Sequence, residues 1–235
     1  MPADQDAAKD PVSLLAALLT LTVVTGLVDA VSYLGLGHVF TANMTGNVVL
    51  FGFAAAGAAG FSMSATLTSL GFFLVGAAAA GRIATRITSR RRLLISAMAA
   101  EAVLVGAAAL IAFVAGTAPG WPRFTVIAVL ALAMGMRNAA VRRLAIRDLT
   151  TTVLTQTLTG LAADSRFAGG RDQRAGRRIG AVVCMLAGAA AGALLFLHVD
   201  AALPLLIASV ISLGTAIVFG ASRAARESVV GGSAA

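Results

Sequence analysis

Residues 12–36 read VSLLAALLTLTVVTGLVDAVSYLGL, twenty-five positions with one charge, Asp29. About 20 apolar residues in a helix cover the ~30 Å hydrocarbon core of a bilayer. A surface helix of a soluble domain would instead alternate a polar face with an apolar one. The stretch reads as a membrane span. The preceding MPADQDAAKD is acidic and polar, without the basic start and cleavage site of a secretory signal. The span is therefore expected to be retained.

The same reading extends outward. Further apolar segments cover 44–61, 65–81, 93–116, 124–141, 149–163, 179–198 and 201–220. Of 235 residues, 59% are hydrophobic and 12% charged, against about 25% charged in a soluble domain. That excludes a soluble domain and a disordered chain. The length accommodates roughly six to eight spans. The single cysteine, Cys184, excludes an internal disulfide and reads as a small buried hydrophobe.

The net charge of +8 comes almost entirely from arginine, with Lys9 the only lysine. The arginines lie between apolar runs: Arg82, Arg86 and Arg90–Arg92; Arg142, Arg143 and Arg147; Arg166, Arg171, Arg174, Arg177 and Arg178; then Arg223 and Arg226. That is the distribution expected of cytoplasmic loops facing anionic lipid, not of a nucleic-acid surface. If 82–92 and 166–178 face the same side, an even number of crossings separates them. Three apolar segments intervene, so one does not span. The weakest is 149–163, short and rich in Thr150, Thr151, Thr152, Thr155, Gln156, Thr157 and Thr159. A re-entrant or broken helix is allowed there if protein lines it.

Three pairs of matching segments suggest a duplication. Gly26-Leu-Val-Asp29-Ala30 resembles Gly135-Met-Arg-Asn138-Ala139, Met44–Val48 resembles Leu154–Leu158, and Leu74–Ala80 resembles Leu186–Gly192, at offsets of 109, 110 and 112 residues. Matched spans carry arginine at opposite ends, so the halves are expected to be inverted. The expected fold is an all-α polytopic membrane protein: six full spans plus two short or re-entrant helices, in two inverted repeats. Its divisions are a tail at 1–11, repeats at about 12–116 and 124–220, and a tail at 221–235, with both tails cytoplasmic.

Ionisable and polar groups inside a bilayer mark a pathway or a packing hydrogen bond. Asp29, and its counterpart Asn138 beside Arg137, are candidates for solute, proton or cation contact; an interhelical bond or a cap is the structural alternative. An Asp29–Arg137 pair is conceivable. Asn43, Thr45, Gly46 and Asn47 precede an apolar run with N-cap residue types, and a helix start suits a polar or anionic ligand. Thr155, Gln156 and Thr157 are the second-half equivalents. Glu101, alone in the fourth segment, is a candidate proton relay, as is Asp29, or is simply paired or snorkelled. Inverted symmetry is expected to bring Asp29, Asn43, Thr45 and Asn47 together with Asn138, Thr155, Gln156 and Thr157 in one polar cavity. No metal-ligating cluster, nucleophile–base pair or phosphate loop is present in the pattern, so no enzyme activity, metal or cofactor is expected.

Gly26-Leu-Val-Asp29-Ala30 followed by Asn43-Met44-Thr45-Gly46-Asn47 resembles the hallmark of the YoaK-like family, the bacterial domain of unknown function 1275. Gly135–Ala139 and Thr151–Thr155 resemble its second signature, with Gln156 where Gly is expected. The resemblance covers about 12–220 and implies a multi-pass protein of the bacterial inner membrane, with no activity attached. Paired broken elements around polar residues are the device of secondary transporters. A transporter or permease for a small solute is therefore expected. A passive channel and a non-transporting scaffold or partner subunit are the alternatives. Expected partners are membrane lipid and an unidentified small solute, not nucleic acid; a homo-oligomer is compatible with the pattern.

Overall fold

The computed structural model describes residues 11–87, 89–143, 154–165 and 175–232, with side chains from residue 14 to 221 within those ranges. All regular structure among them is helical: α1 Pro11–Gly35, α2 Met44–Ala55, α3 Met63–Ile83, α4 Arg90–Ala115, α5 Trp121–Arg143, α6 Leu154–Ala163, α7 Ala175–His198 and α8 Ala202–Gly232. Six of these, all but α2 and α6, are long and apolar enough to cross a membrane. Arg147, Arg166, Arg171, Arg174 and the Thr150–Thr152 run lie outside the described residues, as do the side chains of Arg223 and Arg226.

Local chemistry sets the ends. Asn43, Ser62 and Ser89 cap α2, α3 and α4, their side chains accepting from the N–H of Gly46, Ala65 and Arg92. Asp200 Oδ1 accepts from Leu203 N at the start of α8, 2.8 Å. Such caps satisfy donors that a helix start leaves free. Gly116, at φ 72°, ends α4 in a conformation closed to most L residues. Within the spans, hydroxyls bond the carbonyl one turn back, as in Thr22 to Leu18 and Thr215 to Ile211. That removes their cost in hydrocarbon.

The second apolar segment proves shorter than its hydropathy implied. Its helix stops at Ala55, and Gly57 and Gly60 take positive φ beyond it. Twelve residues rise about 18 Å, well short of a bilayer. Both ends of α2 lie beside the same end of α1. The residues before it bond Asn47, and after it the carbonyl of Gly60 lies 3.1 Å from His38 Nδ1. So α2 does not cross, and α3 starts where α1 ends.

The core is built from α1, α4, α5 and α8. Leu14, Leu18 and Leu21 of α1 meet Leu94 and Met98 of α4, Val141 of α5 and Phe219 of α8. The beginnings of α1 and α4 therefore share one end with the finishes of α5 and α8. At the other end Gly37, just after α1, faces Arg123 of α5, so α1 and α5 are antiparallel. Around this core α3 packs on α5, and α7 packs on α1. The outer helices turn large apolar side chains outward, including Leu74 and Val75 on α3 and Leu186 and Leu194 on α7. Those are the faces a lipid tail would cover.

Backbones touch at glycines in both contacts, α3 with α5 and α7 with α1. A Cβ on Gly76 of α3 would collide with the Leu132 carbonyl of α5, and one on Gly135 of α5 with Phe73 and Ala77 of α3. A Cβ on Gly188 of α7 would strike the Val23 carbonyl of α1, and one on Gly26 of α1 would strike Met185 and Ala189 of α7. Equivalent residues of the two contacts stand 109 positions apart on α1 and α5, and 112 apart on α3 and α7. The successive contacts Leu19–Gly180, Val23–Gly188 and Leu27–Gly192 show that α7 runs parallel to α1.

Candidate functional site

At the centre of the four-helix core stands a guanidinium. Arg137 of α5 and Glu101 of α4 are both 0% exposed, and Nη1 lies 2.8 Å from Glu101 Oε1. Nη1 also donates to the Leu21 carbonyl at 3.2 Å, and Nη2 donates to Thr25 Oγ1 at 2.7 Å. The Thr25 hydroxyl donates in turn to Leu21 O. Three helices thus meet on one cation. An isolated ion in this environment is prohibitively costly, and pairing is what makes it tenable.

The satisfaction is incomplete. Glu101 Oε2 and Arg137 Nε are buried without a partner, as is Ser212 Oγ of α8. Antiparallel packing sets the level of Ser212. Ser209 Oγ donates to Ala102 O at 2.7 Å, and Arg91 donates to the Phe219 carbonyl further down. Ser212 is one turn past Ser209 on the same face, within about one turn of Glu101 in height.

Asp29 does not pair with Arg137. Its Oδ1 accepts from Thr41 N at 3.1 Å and Ala42 N at 2.9 Å, while its Oδ2 and Thr41 Oγ1 are buried without partners. Asp29 therefore holds the turn that leads into α2. Asn47 locks the same turn from the other side: its Oδ1 accepts from Phe40 N at 2.9 Å, and its Nδ2 donates to Phe40 O at 2.6 Å and Ser69 Oγ at 3.0 Å. Gly46 leaves room for the Phe40 ring, which a Cβ there would meet at 2.8 Å. Asn43 is an exposed N-cap, and Thr45 is exposed beside it.

The first set of expected residues is thus brought together around one turn. The second set lies elsewhere, on α5 and α6. Asn138 donates to the Met134 carbonyl at 2.9 Å. Thr157 is buried on α6, whereas Thr155 and Gln156 are exposed. α6 leans on α7, where Arg178 pairs with Asp164 at 2.8 Å. Because α1 and α5 are antiparallel, the two sets diverge from the central pair. Asp29 lies one turn beyond Thr25 toward one end, and Asn138 lies just past Arg137 toward the other. No described hydrogen bond joins them; what stands between them is the Glu101–Arg137 pair.

The pair was the residue-level feature that spacing concealed. Glu101 stood out as a lone acid, and Arg137 as the neighbour of Asn138 and a conceivable partner of Asp29 rather than of Glu101, because 36 positions separate Arg137 from Glu101. The signal that could have found it is that each is an isolated charge deep in an apolar span, and such charges need partners. No group of three or more His, Cys, Asp or Glu side chains suited to a metal is found among the described residues.

Comparison with known proteins bears on the class. The chain is 36% identical over 156 residues to UPF0700 transmembrane protein YoaK of Bacillus subtilis (strain 168), a match covering 64% of this chain and 65% of that protein. No solved structure matches. The family model described as Protein of unknown function (DUF1275) matches residues 17–218. With a polytopic α-helical fold, a relative that is a transmembrane protein and a family match over most of its length, the chain belongs to the DUF1275 family.

Proposed function

We infer that this protein is a secondary transporter or permease for a small solute, made of two inverted halves that meet at the Glu101–Arg137 centre. The observation that carries the reading is that centre: an ion pair at 0% exposure, with one unpartnered polar atom on each member. A protein that needed only to pack its helices would gain by replacing such a pair with apolar side chains of similar volume. Intramembrane charge is retained where it serves a pathway.

The inverted halves are supported by packing. α3 on α5 has its counterpart in α7 on α1, and α4 on α5 has its counterpart in α8 on α1. The glycine contacts repeat at fixed offsets, and α1 and α5 run in opposite directions. Transporters with inverted repeats place their site where the halves meet. With arginine-rich ends facing the cytoplasm of a bacterial inner membrane, both termini fall inside.

The test is uptake into proteoliposomes. Vesicles carrying the wild-type chain are offered a small-molecule extract under imposed ion gradients, and their contents are compared with those of empty vesicles. Accumulation of at least one solute, abolished in the Glu101→Gln/Arg137→Gln double variant, is the expected result. Contents matching those of empty vesicles would favour a protein whose polar residues only pack helices. Leakage independent of any gradient would favour a channel.

A further inference from the structure

We propose that the central pair is a loading site for a proton together with a small anion: Glu101 takes the proton, and Arg137, released from it, takes the anion. The inference rests on the transporter reading and names its coupling ion and substrate class.

Charge balance decides what such a site can hold. In the described state Arg137 and Glu101 cancel, and Nη1 of Arg137 is held by Glu101 Oε1 and Leu21 O. Adding an anion alone would leave a net negative charge in the core, and adding a proton alone a net positive one. Either is heavily penalised in a low-dielectric interior. Adding both leaves it neutral: an O–H bond forms on Glu101 from a proton of the aqueous phase, and the positive charge of Arg137 is then balanced by the incoming anion. No other change in bonding is required.

The groups with unused capacity match this scheme. Glu101 Oε2 is the open acceptor for the proton. Arg137 Nε is an open donor, and Nη1 becomes a second when Glu101 is neutral. A guanidinium presents several donors in one plane, the geometry that binds carboxylate, phosphate and similar oxyanions. Ser212 Oγ, buried and unpartnered at about the same height, is placed to serve either ligand.

Few other charges bear on Glu101. From α5 it faces Arg137; α1 carries Asp29, already bonded to the 41–42 turn, and Tyr33, stacked on Phe40 at the far end. None of the described side chains of α8 is ionisable. On α4 itself the nearest charges are Arg90–Arg92 at the helix start, where Arg91 is engaged with the carbonyls of Phe219 and Gly220.

Binding is testable without knowing the physiological solute or observing transport. The thermal midpoint of the full-length protein in detergent is measured at about pH 8 and about pH 5. Sodium chloride, formate, acetate and inorganic phosphate are the probes, each against an uncharged osmolyte. In the wild type, at least one anion is expected to raise the midpoint by several degrees at the lower pH and to have little effect at the higher one. In Glu101→Gln, where Arg137 is released throughout, the same anion should stabilise at both. In the Glu101→Gln/Arg137→Gln double variant, which keeps the core neutral and so keeps it folded, the anion effect should vanish at both. An effect that persists in the double variant, is independent of pH in the wild type, or is absent from Glu101→Gln overturns the proposal. Anion binding without flux in the vesicle assay would sink the transporter reading and leave the site. Flux with no anion effect would do the reverse.

Discussion

Arg137 is held by atoms from two other helices, Glu101 Oε1 of α4 and the Leu21 carbonyl and Thr25 hydroxyl of α1. Removing one member of such a pair leaves the other charged and buried, a loss of about 3–5 kcal/mol. Arg137→Met should therefore lower the thermal midpoint sharply. Glu101→Gln/Arg137→Gln should recover much of that loss, and a double-mutant cycle measures the coupling. Asp29 has a different job, since its Oδ1 receives two backbone N–H groups of the turn before α2. In Asp29→Asn one charge-assisted acceptor becomes a neutral amide, at a cost of about 1–3 kcal/mol. A thermal melt should show the loss. A cysteine at Thr45 in a Cys184→Ala background should also label faster in that variant, because the turn loosens. These residue types were legible in the sequence as out of place in apolar spans. Their partners were not: a hydrogen bond between spans is set by helix rotation and crossing, which spacing along the chain does not encode.

The helices themselves were easier to read. Each of the eight apolar segments became a helix, because runs of this length in hydrocarbon have no other way to satisfy their backbones. The ends depended on single residues. The segment expected to reach residue 61 stops at Ala55, because Gly57 and Gly60 turn the chain back toward His38. Contacts between helices centre on glycine, and the two equivalent interfaces predict matched effects. Gly76→Leu and Gly188→Leu should each push a helix off its partner backbone, costing roughly 1–3 kcal/mol or more. Gly214, where an added Cβ would meet nothing within 4 Å, is the control. Gly214→Ala should leave stability unchanged or raise it by up to about 1 kcal/mol. Melting of the purified variants checks all three.

For the whole molecule, the glycine contacts of α3 with α5 and of α7 with α1 fall on residues 109 and 112 positions apart, which supports the proposed inverted halves. The expectation that the two turn motifs form a single cavity does not follow from such a repeat. Antiparallel α1 and α5 carry Asp29 and Asn138 away from each other, and the charged pair lies between. Arginine position marks the sides. Arg82, Arg86 and Arg90–Arg92 lie at the end where α3 finishes and α4 starts, while the turns at 36–43 and 56–62 lie at the opposite end. Single cysteines at Ser89 and Ala58, without Cys184, should label from the cytoplasmic and outer faces respectively with a membrane-impermeant maleimide. Labelling of both from one face would break the topology. The proposed transporter function requires the buried core to open to each side in turn. A cysteine at Ser212, whose side chain is fully buried on α8 within about one turn of the ion pair in height, tests it most directly. Its reaction with an impermeant thiosulfonate is measured in right-side-out and inside-out vesicles. Alternating opening predicts slow modification from both sides; modification from neither side, or from one side alone, contradicts it.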